Sequence, residues 1–155
     1  MASIEDLMVT RMITAKPDET VAQVARRMAT NKVGAVLLIE KGELWGLFSE
    51  RDLLTRVVRK NRDPRMTSVG EVATRKVVTV DLGAPPKAVL QIFRQKKFRH
   101  LPITRNGKPV GILSTRDFLD FLIHGLERYV DQLRYKDDLA RGVDPYDHLG
   151  GSYGR

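Results

Sequence analysis

Two nine-residue stretches of this sequence set a hydroxyl, a guanidinium and a carboxylate in the same order behind an apolar run. They read Gly46-Leu-Phe-Ser49-Glu-Arg51-Asp52-Leu-Leu54 and Gly111-Ile-Leu-Ser114-Thr-Arg116-Asp117-Phe-Leu119. If each apolar run is a strand and the serine caps the helix that follows, backbone N–H groups and the positive end of the helix dipole lie beside it. That environment suits a phosphate or another electron-rich group. Asp52 and Asp117 come one helical turn later and project on the same side as the serines. A carboxylate there can accept two hydrogen bonds from a vicinal diol such as a ribose. Arg51 and Arg116, in the first helical turns, can reach a phosphate or make surface ion pairs. Gly46 and Gly111 leave room for close backbone approach. Ser-x-x-Asp at a helix start is also an ordinary N-cap with a first-turn acid. Its repetition, with Gly and Arg-Asp attached both times, points to ligand binding.

The rest of the sequence narrows the classes of chemistry. The histidines, at 100, 124 and 148, have no metal-ligand spacing, and neither a Gly-x-Ser-x-Gly elbow nor a phosphate-binding Gly-x-x-x-x-Gly-Lys loop occurs. With no cysteine there is no disulfide framework, thiolate metal site or cysteine nucleophile. A catalyst is therefore not expected, nor a bound metal. The formal charge of +8 favours phosphate-bearing partners. Basic residues cluster at Arg56, Arg59, Lys60, Arg62 and Arg65 and again from Arg94 to Arg99, so a nucleic-acid surface is the main alternative. Base-stacking aromatics make up only 6% of the chain, however, and no nucleic-acid motif is present. A third reading is a pure protein-interaction module. The amino terminus lacks the basic and apolar regions of a signal peptide, and no uninterrupted apolar run of about eighteen residues occurs, so a cytoplasmic protein without a membrane partner is expected.

The elements that must position these groups form a repeat. Shifting the sequence by 65 positions aligns 14–54 with 79–119 without a gap, and nine of the 41 pairs are identical, five of them in the nine-residue stretches. In the first copy, Thr20 and Gln23 form a capping box, and Val21, Val24, Ala25 and Met28 follow at helical spacing. In the second, Ala84-Pro85-Pro86 opens the helix and Val89, Ile92 and Phe93 form its apolar face. Apolar runs at 33–39 and 98–103 then lead through Lys41-Gly42 or Asn106-Gly107 into second runs at 44–48 and 110–113, the pattern of tight hairpins. The fold class expected is α/β (α+β), with two pseudosymmetric βαββα units packed as one disc-like module. The expected domains are 1–60 and 69–124, with a polar linker at 61–68. Leu119, Leu122, Leu126, Val130 and Leu133 predict an extended C-terminal helix in a segment 125–155 whose tail, from Gly142, reads as irregular.

These features resemble a tandem pair of CBS domains, a Bateman module, over roughly residues 4–123. The repeated Gly-h-h-Ser-x-Arg-Asp motif, where h is apolar, and Arg99-His100-Leu101-Pro102-Ile103 carry the resemblance. It implies a cleft with two pseudosymmetric sites for AMP, ADP, ATP or a related adenosyl ligand, acting as a regulatory signal. By the resemblance, Asp52 and Asp117 hold the ribose, and Ser49 and Ser114 lie beside the phosphate or ribose. Ile13, Thr14, Val78 and Thr79 line the base, and Val33-Gly34-Ala35 and Phe98-Arg99-His100 face base and phosphate. Arg99 and His100, with Gly34 and Ala35 at the matching places, make the charge one-sided. They are expected to serve the Asp52 site, which becomes the favoured site for a charged nucleotide. The resemblance also implies a homodimer, and an effector protein or the carboxy-terminal segment is expected to receive the signal.

Overall fold

The computed structural model describes residues 4–7 and 12–142. All but Gly142 of the tail expected to be irregular therefore lies outside the described residues, as does His148. In chain order the elements are α1 (Ile4–Leu7), β1 (Thr14–Ala15), α2 (Val21–Asn31), β2 (Ala35–Glu40), β3 (Glu43–Ser49), α3 (Glu50–Asp52) continuing as a π-helical segment (Leu53–Val58), α4 (Val69–Val72), β4 (Val80–Asp81), α5 (Pro86–Lys96), β5 (His100–Arg105), β6 (Lys108–Ser114) and α6 (Thr115–Ala140). Two three-stranded sheets result, ordered β1-β2-β3 and β4-β5-β6. In each, the first pair is parallel and the second antiparallel. This is the mixed α+β, duplicated fold that the sequence predicts.

The offset of the sequence recurs in the backbone. α2 and α5 match, the hairpin strands match, and the register of each hairpin shifts at the same place, Leu38/Ile39 and Ile103/Thr104. Lys41 and Gly42 have φ of 53° and 79°, and Asn106 and Gly107 have 53° and 78°. Positive φ at both central residues gives the turn whose twist matches that of its strands. Thr20 caps α2 by accepting from the Gln23 N–H, while the Gln23 side chain accepts from the Thr20 N–H at 2.9 Å. Pro86 occupies the first turn of α5, where no backbone donor is lost. The hairpins begin two residues later than their apolar runs. Lys32 closes α2 in a left-handed conformation, and the Val33 N–H is spent on the Met28 carbonyl at 3.1 Å rather than on a strand partner.

The core of the first copy joins Val21, Val24 and Met28 of α2 to Val36, Leu38 and Phe48 of its sheet, and to Val57. Val69, Val72 and Ala73, beyond the polar segment 61–68, complete it. That segment is itself tied down: Val21 and Ala22 donate to the carbonyls of Thr67 and Pro64, both at 2.9 Å, and Thr67 is buried. α1 holds the place in the repeat that α4 holds 65 residues later. Ile4 is buried, and Glu5 pairs with Arg105 of the second hairpin at 3.1 Å.

Met1–Asp117 and Phe118–Arg155 form two compact units. Both sheets belong to the first. The second contains the remainder of the 26-residue α6, along which Leu119, Leu122, Leu126, Val130 and Leu133 are exposed.

Candidate functional site

β3 delivers Ser49 to the start of α3, and the helix turns Asp52 back onto it. The Asp52 N–H donates to Ser49 Oγ at 3.4 Å, while Asp52 Oδ2 accepts from the Ser49 N–H and Oγ–H, each at 3.0 Å. Ser114 and Asp117 repeat this in the second copy. Oδ2 accepts from Ser114 N–H at 3.3 Å and from Oγ–H at 2.5 Å, and Asp117 N–H donates to Oγ at 3.0 Å. The N-cap reading of Ser-x-x-Asp is thus realised in both copies. It uses one oxygen of each carboxylate. Oδ1 of Asp52, a residue only 7% exposed, faces the Arg56 Nε at 3.4 Å. The same guanidinium donates to the Ala73 carbonyl at 3.0 Å, holding the chain that follows α4 against the acid.

The glycine before the serine is spent on that same chain. A Cβ on Gly46 would lie 2.8 Å from the Thr74 carbonyl oxygen, because Leu47 and Thr74 exchange backbone hydrogen bonds of 2.9 and 2.8 Å across the strand edge. This backbone approach brings Thr74, Lys76, Val77 and Val78 beside Ser49 and Asp52.

The result is a cavity of about 350 Å³, here called cavity one. The first copy supplies Ser49, Glu50, Arg51 and Asp52, with Gly34 and Leu47. The second supplies Val77, Val78 and Phe98, an apolar wall suited to a planar ring, together with Arg99 and His100. A second cavity of about 600 Å³ is its pseudosymmetric counterpart. Ile13, Val33, Gly34 and Ala35 there face Ser114, Arg116 and Asp117. Sequence-predicted residues of both copies therefore meet, with two exceptions. Thr14 and Thr79 line neither cavity and are exposed. The Thr14 carbonyl instead accepts from Arg27 of α2 at 2.8 Å.

The cavities share a wall made by Gly34, Glu50, Arg99 and His100. Gly34 lets the imidazole sit close: a Cβ there would be 3.2 Å from His100 Nε2 and 3.4 Å from Glu50 Oε2. Burial holds the His100 pKa below its ordinary value; Glu50 opposes this, Arg99 adds to it, and Asp117 opposes it. The charges differ between the cavities. Arg51, Arg56, Lys76, Lys96, Lys97 and Arg99 line cavity one against the acids Glu50 and Asp52. Lys32, Arg99 and Arg116 line cavity two against Glu50 and Asp117.

Several lining residues were not singled out from sequence. Lys96 and Lys97 lie in the basic run 94–99 that reads as a candidate nucleic-acid surface, and Lys32 pairs with Lys97 as one of the nine identities of the repeat. Thr74 and Lys76 give no sequence signal, because only the docking of 72–78 onto β3 brings them to the cavity; Arg56 reads only as part of the basic cluster 56–65, and Glu50 only as the residue after Ser49.

A family model described as "CBS domain" matches residues 4–59 and again 69–124. The CBS domain-containing protein YhcV of Bacillus subtilis is 32% identical over 117 residues, 76% of this chain and 83% of YhcV. CBSCBSPB2 of Arabidopsis thaliana is 32% identical over 131 residues, 84% of this chain, but the match spans only 24% of that longer protein. Among solved structures, the CBS domain NE2398 superposes with a TM-score of 0.74 at 28% identity, covering 79% of this chain and 99% of that one. The CBS domain protein PAE2072 of Pyrobaculum aerophilum, complexed with AMP, gives 0.69 at 27% identity, covering 75% and 89%. Among the described residues, no helix is long and apolar enough to cross a membrane.

Proposed function

We infer that this chain, which belongs to the CBS-domain family and carries two of its domains in tandem, is a regulatory, non-catalytic module that binds an adenosine nucleotide in cavity one. The observation that carries this reading is a single cavity in which the nearly buried Asp52 of one copy faces the cations and apolar wall of the other. In this reading Asp52 takes the ribose hydroxyls, Val77, Val78 and Phe98 take the base, and Arg99 with His100 takes the phosphate. The volume lies within the range of small-molecule sites, roughly 300–1,000 Å³. The AMP held by the related Pyrobaculum protein supports the choice of ligand.

Because the ligand bridges the two copies, it signals by favouring one of their relative arrangements, and only to the extent that it binds that arrangement better. A homodimer and a cytoplasmic effector protein are the proposed means of output. The nucleic-acid alternative loses part of its ground, since Lys96, Lys97 and Arg99 of the second basic run line a cavity.

The test is a thermal-shift screen with AMP, ADP, ATP, NAD and S-adenosylmethionine, followed by calorimetry. A native-state ligand at a hundred times its Kd adds about 2.7 kcal/mol of stability. The expected outcome is a raised Tm with at least one adenosine nucleotide. No shift with any of them, beside oligonucleotide binding that weakens steeply with salt, would overturn the reading.

A further inference from the structure

Lysine is an unfavourable residue for a left-handed backbone, where its Cβ crowds the following carbonyl, and helices that end this way generally use glycine. Yet Lys32 and Lys97 end α2 and α5 with φ of 54° and 52°. The two form one of the identities between the copies. Each lines a cavity, Lys97 cavity one and Lys32 cavity two. A side chain kept at a strained backbone position beside a cavity points to a task for that side chain.

In cavity one Lys97 has company. Lys96 precedes it, Lys76 comes from the segment docked on β3, and Arg51, Arg56 and Arg99 complete six exposed cations. Among the described residues, Glu50 is the one exposed acid that lines the same cavity; Asp52 is buried. The acid and the apolar wall are thus the more buried part, and the positive charge lies at the mouth. A single phosphate engages only part of this set, whereas a chain of phosphates running out along the mouth engages the rest. Cavity two, with three cations against two acids, has no comparable excess.

We propose that Lys97, with Lys96 and Lys76, forms a polyphosphate subsite at the mouth of cavity one, which therefore takes a nucleoside di- or triphosphate in preference to a monophosphate. This rests on the nucleotide reading above and adds the ligand's phosphate count to it.

The experiment is calorimetric titration of the full chain, in the presence of a chelator, with AMP, ADP, ATP and inorganic tripolyphosphate. It compares the wild type with Lys97→Gly and Lys97→Asn. Glycine and asparagine both accept the left-handed conformation, so both variants keep the cap, and Lys97→Gly is expected to melt above the wild type. In the wild type, ATP is expected to bind at least about tenfold more tightly than AMP, as a lost charge-assisted contact is worth about that factor. In both variants the ratio of ATP to AMP affinity is expected to fall by about tenfold. Wild-type AMP binding as tight as ATP, or variants that leave the ratio where it was, overturns the proposal. If tripolyphosphate binds and loses affinity in both variants while no adenosine compound binds, the nucleotide reading falls and the lysine subsite stands. If neither binds, both fall.

Discussion

Asp52→Ala and Asp117→Ala form a matched pair that separates what the acids do for the fold from what they do for a ligand. Each carboxylate accepts from the N–H and the hydroxyl of the serine three residues before it. Truncating either removes the same carboxylate half of the cap and leaves the bond from the backbone N–H to the serine Oγ, a loss of about 1 kcal/mol. Asp52 also faces Arg56 at 3.4 Å, but that guanidinium is half-exposed and the pair adds at most about 1 kcal/mol. The stability losses are therefore about 1–2 kcal/mol for Asp52→Ala and about 1 kcal/mol for Asp117→Ala, a fall in Tm of about 2–8 °C. Binding should not follow the same pattern. Only Asp52 sits in the cavity whose cations outnumber its acids six to two. Losing charge-assisted bonds to ribose hydroxyls costs about 1.5–3 kcal/mol, or about 10- to 150-fold in Kd for ATP. Asp117→Ala should change that Kd by less than about threefold. Urea denaturation gives the stabilities and calorimetry the affinities. If Asp117→Ala weakens ATP as much as Asp52→Ala does, or if folded Asp52→Ala binds like the wild type, the assignment of the charged nucleotide to cavity one is refuted.

Two further outcomes follow from the same geometry. Gly46→Ala places a methyl group 2.8 Å from the Thr74 carbonyl, a backbone atom that moves only by breaking the Leu47–Thr74 pair. A loss of about 1–3 kcal/mol is expected, and an unchanged urea midpoint would show that this approach is not tight in solution. His100 is held neutral chiefly by burial, so an anion bound beside it should draw a proton onto the ring. Calorimetry near pH 6.5 in two buffers of different ionisation enthalpy should show more proton uptake, or less release, on ATP binding in the wild type than in His100→Gln, the difference cancelling the protons that the terminal phosphate of ATP itself exchanges; an equal proton exchange in the two proteins would exclude His100 from the phosphate end. In the ligand-free protein the sign runs the other way. A pKa depressed by folding contributes stability above the unfolded value, about 6.5, and that contribution is lost as pH falls below it. The wild type should therefore lose more stability than His100→Gln between pH 7 and 5.

What could be read from sequence was what local physics decides. The Thr20 capping box, the Asn106-Gly107 turn and the apolar runs each specify their own conformation, and the recurrence of helix and hairpin at a fixed offset specifies the fold. Ser49 and Asp52 were legible for the same reason, since a cap and its first-turn acid lie three residues apart. α4 was not legible as part of the first core. Its four residues are too few to show a periodicity, and they reach that core only because 61–68 packs back against the start of α2. Thr74 and Lys76 were missed as a consequence, for their place in the cavity depends on that docking, and Arg56 was read only as part of a basic cluster. Lys96 and Lys97 were visible as charge, but charge in a helix's last turn usually faces solvent, and only the fold shows that this pair lines a cavity.

The duplication accounts for there being two cavities, and four substitutions within the aligned stretch 14–54 contribute to their being different. The backbones match in strands, helices, caps and register shifts, so the frame offers the same corner twice. Along that frame Gly34 faces Arg99 in the alignment, Ala35 faces His100, Glu50 faces Thr115 and Asn31 faces Lys96. Three of the four changes add a basic group to the second copy, and these groups line the cavity that holds the first copy's acid. The fourth, Glu50, places an acid in the wall shared by both cavities, beside His100 and Gly34. Gly34 is then more than an absence of charge. Its missing side chain is what allows His100 to stand in the shared wall, so one copy gives up volume where the other contributes chemistry. A symmetric pair with Arg and His in both copies would crowd that wall with four basic side chains. The asymmetry is the arrangement in which a single set of cations lines one cavity without repelling its own duplicate.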